Sequence, residues 1–174
     1  MKKIFAVVGV LLGLVVGTGP VTAAPPPAPR PGPPVLADDK GFFPAATPDG
    51  GFCAFQVDYV LTGKSKTIVT PGGRTITSPG QKITLSNGSK SVSYIITGVR
   101  REVDTLGPTG DKRIEVTLTG RNIVFNSVDS QRQGLFLLVG DFNYALNNLG
   151  GNQFSESRPF SGAGQVTDIC EVLA

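Results

Sequence analysis

The sequence predicts an all-β fold, an antiparallel sandwich or closed barrel of about eight to ten short strands with its ends joined by one disulfide. Three observations predict it. Apolar residues recur at every second position through most of the chain beyond residue 52. Clusters of Gly, Pro, Asn and Ser interrupt those runs at short intervals. The only two cysteines, Cys53 and Cys170, stand at the two ends of the alternating region. No strand-then-helix alternation appears, which argues against a doubly wound or P-loop architecture.

Taken in order, residues 1–23 read as a signal peptide. Lys2 and Lys3 supply the positive start, Ile4 to Gly17 is apolar, and Val21-Thr22-Ala23 offers small residues at a cleavage site. The apolar run is shorter than the ~20 residues that span a bilayer. Residues 24–50 read as a Pro-rich disordered leader. Ala24 to Pro34 is APPPAPRPGPP, a composition that favours extended polyproline II and cannot pack a core. Asp38, Asp39, Pro44, Pro48 and Gly50-Gly51 extend that expectation to the boundary, and residues 51–174 form a single β domain.

Within the domain, Cys53, Phe55, Val57, Tyr59 and Leu61 share one face of a first strand. Thr70-Pro71-Gly72-Gly73 and Ser78-Pro79-Gly80 mark the next turns. Asn87-Gly88 predicts a hairpin between Ile83–Leu85 and Val92–Ile96, because both residues tolerate positive φ. Its glycosylation-like spacing with Ser89 is read as a turn. After Gly107-Pro108-Thr109-Gly110, the residues Ile114, Val116 and Leu118 alternate with polar neighbours. Leu135 to Val139 is continuously apolar, as in a strand buried on both faces. Phe142, Tyr144 and Leu146 resume the alternation. Asn143 to Gln153 and Ser155–Arg158 read as loops, and no helix is expected.

An exported chain with two cysteines is expected to pair them, which brings the first and last strands together. Export removes Lys2 and Lys3, so sixteen basic residues become fourteen against thirteen acidic, a net charge of +1. That balance gives no electrostatic case for nucleic acid or an anionic membrane. Arg100-Arg101 and Lys112-Arg113 read as solvated charges.

The chain has no histidine, which excludes Ser-His-Asp and Cys-His catalysis and imidazole metal sites. Gly63-Lys64-Ser65 resembles the end of a P-loop, but the required earlier glycine position holds Asp58. Glu102 and Asp104 share a strand face, and Glu115 is expected opposite them, so a carboxylate-based hydrolase is the remaining enzymatic alternative. A mixed-charge hairpin accounts for the same residues. With no Trp, and with Tyr59, Tyr94 and Tyr144 in register with apolar neighbours, sugar platforms are disfavoured. Phe55, Phe125, Phe136 and Phe142 would line a barrel able to hold a small apolar ligand. Arg121 and Asn122 follow Gly120 between two apolar runs. They read as a structural polar pair that pins a sheet bend, the arginine bridging carbonyls freed by a bulge.

Thr62-Gly63-Lys64-Ser65-Lys66-Thr67-Ile68, Pro71-Gly72-Gly73-Arg74-Thr75-Ile76, Ser78-Pro79-Gly80, Thr119-Gly120-Arg121-Asn122 and Asp168-Ile169-Cys170 resemble a group of uncharacterised small secreted actinobacterial proteins. The resemblance implies an exported β-rich domain with an early and a late cysteine. It transfers no functional residues.

The expectation is a secreted, non-enzymatic β-domain acting by surface interaction in the cell envelope or medium, extracellular or cell-wall associated. It needs no cofactor and no metal, has no integral membrane segment after signal cleavage and binds no nucleic acid. Its partner is an envelope component or, in the carrier alternative, a small apolar ligand.

Overall fold

The structure, a computed structural model, describes residues 31–48, 50–126, 132–150 and 153–174. The signal peptide expected at 1–23 and the first part of the leader, 24–30, lie outside these residues.

The strands are β1 (Val35–Leu36), β2 (Asp39–Phe43), β3 (Val57–Thr62), β4 (Lys64–Thr70), β5 (Gly73–Thr77), β6 (Gln81–Ser86), β7 (Ser91–Ile96), β8 (Val99–Leu106), β9 (Lys112–Asn126), β10 (Gly134–Gly150) and β11 (Gln153–Asp168), followed by helix α1 (Ile169–Leu173). They form two antiparallel sheets, one in the order β1-β4-β5-β8-β9-β10-β11 and one in the order β2-β3-β6-β7. The architecture is a sandwich, and no ladder among the described residues closes it into a barrel.

The two orders are one order seen twice. β1 continues into β2 through Ala37-Asp38, β3 into β4 through Gly63, β5 into β6 through Ser78-Pro79-Gly80, and β7 into β8 through Thr97-Gly98. Each pair is one long strand bent where it leaves one sheet for the other. The chain is thus a meander in which every long strand pairs with the next, folded along a crease that crosses four of them.

Along the crease, hydrogen bonds outside the ladder satisfy the backbone. Ala37 N donates to Gly63 O at 2.9 Å, and Gly63 N donates to Asp38 Oδ1 at 2.8 Å. Gly98 N donates to Arg121 O at 2.9 Å. Gly98 is required by close approach, since a Cβ there would stand 2.2 Å from Asn122 Nδ2. Gly120, at φ +74°, bends β9 where it parts from β8. Beyond that point β9 pairs only with β10 and lays Ile123 against the smaller sheet.

The run 135–139 serves two cores, as its unbroken apolarity predicts. Leu135 and Leu137 pack with Val57, Ile83, Leu85, Ile96, Ile169 and Leu173 between the sheets. Phe136 and Leu138 pack with Ile114, Val116, Leu118, Phe142, Tyr144 and Phe160 on the other face of β9 and β10. The Asn87-Gly88 hairpin joins β6 to β7. Gly88 takes φ +89°, and Asn87 Oδ1 accepts from Ser89 N and Lys90 N.

Four expectations are corrected. Part of the stretch expected as a disordered leader is strand, Val35–Leu36 and Asp39–Phe43: β2 pairs with β3, and Phe43 packs on the inter-sheet core, so a few apolar residues outweigh a turn-rich composition. A helix is present. Asp168 caps α1 by accepting from Cys170 N and Glu171 N, and Ile169 and Leu173, one turn apart, are buried. Five residues are too few to display a helical period. Asn143 to Gly150 continues β10, and Gln153 to Arg158 opens β11, although both stretches read as loops. Cys53 and Cys170 do form the disulfide, with Cα atoms 5.3 Å apart, but they sit on an isolated bridge opposite Ala45 and on α1, outside the ladders. No helix among the described residues is long and apolar enough to cross a membrane.

Candidate functional site: the crease cleft

The bend that makes the sandwich also opens a cleft of about 340 Å³ inside the crease. This lies within the ~300–1,000 Å³ of small-molecule pockets. Its apolar wall comes from both arms of the bent strands, with Leu61, Ile83 and Ile96 on the smaller sheet and Ile76 on the larger. These residues face each other because the strands change sheet between them. β9 crosses the opening with Asn122, Ile123 and Phe125.

An aromatic cluster forms the mouth. The Phe43 ring centroid lies 5.5 Å from Phe52, 5.1 Å from Tyr59 and 5.6 Å from Phe125. Phe125 remains 55% exposed, an unusual state for a ring this close to two others, Phe43 at 5.6 Å and Phe52 at 5.7 Å. The Tyr59 hydroxyl donates to Asp39 Oδ2 at 2.8 Å, and that bond, with smaller contributions from burial and from the carboxylate charge, holds the phenol above its usual range.

One border of the cleft is polar. Glu102 is buried, its side chain 5% exposed, and is bracketed by two guanidinium groups. Arg74 Nε lies 2.6 Å from Oε2 and Arg100 Nε lies 2.6 Å from Oε1. A buried carboxylate requires such partners. The three side chains together carry one net positive charge. Arg100, a third exposed, lines the cleft, and its guanidinium carbon sits 5.9 Å from the centre of the Tyr144 ring. A second cleft of about 390 Å³, lined by Phe52, Tyr144, Leu146 and Phe154, meets the first at Arg100, Ile123 and Phe125.

The candidate residues read from sequence are distributed unevenly. Asn122 borders the cleft and its Nδ2 donates to Thr119 O at 3.0 Å, so the amide bridges a carbonyl beside the bend. Arg121 contributes its backbone carbonyl to Gly98, while its Nε is buried without a hydrogen-bond partner among the described residues. The β9–β10 register passes Gly120 without a shift, so the bend there is not a bulge. Of the four Phe residues expected around a barrel cavity, only Phe125 reaches the cleft. Phe136 and Phe142 fill the second core, and Phe55 packs on the first. Glu102 and Asp104 share a face, but Glu115 stands opposite Val103 and therefore points to the other side of the sheet. There it is held by Arg113 Nε at 3.0 Å and Arg158 Nη2 at 2.7 Å. The three carboxylates form no facing pair. Among the described residues, no group of three His, Cys, Asp or Glu side chains is placed to hold a metal.

Arg100 reads in the sequence as a solvated charge, but the structure leaves it only a third exposed and paired with buried Glu102. Its alternation with Glu102 places both on one face of β8, but only the crease shows that this face looks into a cleft.

No family model matches the chain, and neither curated proteins nor solved structures give a match.

Proposed function

We propose that the protein is an exported, non-catalytic β-domain that acts by binding, and that the crease cleft is where it takes a small apolar molecule. The observation that carries this reading is the cleft's lining, aliphatic in depth and aromatic at the mouth, on strands that the crease holds apart. A core free to collapse would have closed over Leu61, Ile76, Ile83 and Ile96. The apparent signal peptide at 1–23, the Pro-rich start of the leader and the disulfide all agree with export. So does the resemblance to secreted actinobacterial proteins.

Titration with phenylnaphthylamine, whose fluorescence rises in apolar surroundings, tests the reading. The folded protein should give a saturating rise with one site per chain, and Ile76→Trp, which fills the cleft, should abolish it. Equal signals from the two proteins would place the dye elsewhere and remove the cleft from consideration.

Interaction with an envelope component is the second reading. It is favoured by the outer edge of β11, where residues 161–166 are exposed and, among the described residues, the strand pairs only with β10. Such an edge offers unpaired backbone groups to an added strand.

A further inference from the structure

We propose that the molecule bound in the crease cleft is an anionic amphiphile, a single medium-length alkyl chain ending in a carboxylate, with its head on Arg100 and its tail against Leu61, Ile76, Ile83 and Ile96. The inference rests on the small-molecule reading above and gives that site its ligand class.

Charge is the first argument. Arg74 and Arg100 share the single carboxylate of Glu102, so these three side chains carry one net positive charge beside the cleft. Both contacts to Glu102 use Nε atoms. Arg100 Nε and Glu102 Oε1 lie 2.6 Å apart as an ion pair without hydrogen-bond geometry, so charge alone ties the two. A guanidinium edge with two parallel donors matches a carboxylate better than it matches an alcohol or an amide.

Position is the second argument. Arg100 alternates with Glu102 on one face of β8 and stands directly across the ladder from Ile76. The cation therefore borders the aliphatic wall of the same cleft. Asp39 provides the contrast. It lines the cleft too, bonded to the Tyr59 hydroxyl and the Lys40 amide, and would repel an anionic head placed beside it. The two charges orient an amphiphile one way, with the head toward Arg100.

Size is the third argument. At ~30 Å³ for each water-sized group, the cleft holds roughly eleven heavy atoms. Decanoate is of that size. A long-chain or two-chain lipid would have to extend past Phe125 into the adjoining cleft.

Isothermal titration of the full folded domain with decanoate, decanol and decylammonium decides the matter. Decanoate should bind at least tenfold more tightly than decanol, and decylammonium more weakly than either. Arg100→Gln should bring decanoate affinity down to that of decanol and leave decanol unchanged. That replacement leaves Glu102 with one partner, so the double variant Arg100→Gln/Glu102→Gln, which removes the charge and its counter-charge together, should give the same loss with a native circular dichroism spectrum. Equal affinities for decanoate and decanol in the wild-type protein would overturn the carboxylate head while leaving an apolar-ligand site intact. If neither ligand binds and the fluorescent dye also fails, the cleft itself is not a binding site and both readings fall.

Discussion

Gly98 and Asn122 occupy the same few cubic ångströms at the crease. The missing side chain of one makes room for the amide of the other, and that amide bridges Thr119 O where β9 leaves β8. Gly98→Ala is therefore expected to displace the Asn122 side chain and cost about 1–3 kcal/mol, the range for a buried polar group that loses its partner. Asn122→Ala alone should cost a similar amount. The double variant should cost less than the sum, because the added methyl then enters space the amide has vacated. Urea denaturation of the four proteins measures the coupling, and strict additivity would contradict this packing. Tyr144 offers a residue-scale test in pH. Burial foremost, with Glu102 adding and Arg100 opposing, raises its hydroxyl above the ordinary value of 10.0. A folded value above the unfolded one means that the native state holds the proton more tightly. The associated stability is complete below about pH 10 and falls as pH rises beyond it. Tyr144→Phe, which has no proton to lose, should flatten that alkaline decline when Tm is followed against pH.

The elements were legible in the sequence where their pattern repeats often enough to be distinguished from chance. Ile114, Val116 and Leu118 announce β9, and the double burial of Leu135–Leu138 follows from a run with no polar residue. Elements fixed by one or two contacts were not legible. β2 has the sequence DKGFF, and only Phe43, packed against Phe52, Tyr59 and Phe125, turns it inward. Removing residues 24–50 is consequently expected to damage the domain: it strips the edge from the smaller sheet and takes Phe43 and Asp39 from the cleft. Losing the Phe43 contacts alone should cost about 2–4 kcal/mol, somewhat less than for a fully buried ring. Circular dichroism melting of the truncated chain checks this, and an unchanged Tm would show that β2 rests on the domain without supporting it. α1 was hidden for the same reason. Its signal is a single capping aspartate, and Asp168→Ala is expected to lower stability by about 1 kcal/mol in the same assay.

At the scale of the whole molecule, Phe125 marks the limit of what the sequence could show. Period-two alternation assigns it a face, but whether that face meets packed side chains or an open cleft depends on where four separate strands bend. Two of those bends sit at turn-like sequence, Gly63 and Ser78-Pro79-Gly80. The other two, at Ala37-Asp38 and Thr97-Gly98, carry little that separates them from ordinary loops. The meander has a further effect. Every ladder joins strands that are neighbours along the chain once the bent pairs are counted as one, so the sheet can zip from its turns, while the Cys53–Cys170 bond spans 117 residues. Replacing both cysteines with serine should leave the β-type spectrum in place and lower stability by roughly 2–5 kcal/mol, the range for a long-loop disulfide. Loss of the spectrum itself would mean that the covalent link is needed for the sheet to exist.

The disulfide also fixes the route that mechanical force takes through the protein. Cys53 lies ahead of β3 and Cys170 lies beyond β11, so a pull applied between Pro31 and Ala174 passes through the sulfur–sulfur bond and bypasses every residue between the two cysteines. Under tension only the short outer segments can pay out, by peeling β1 and β2 from β4 and β3 at one end and fraying α1 at the other. The seven strand segments after β4, and most of the crease with them, would stay slack in an oxidised molecule held by its ends. Reduction would expose them to the full load.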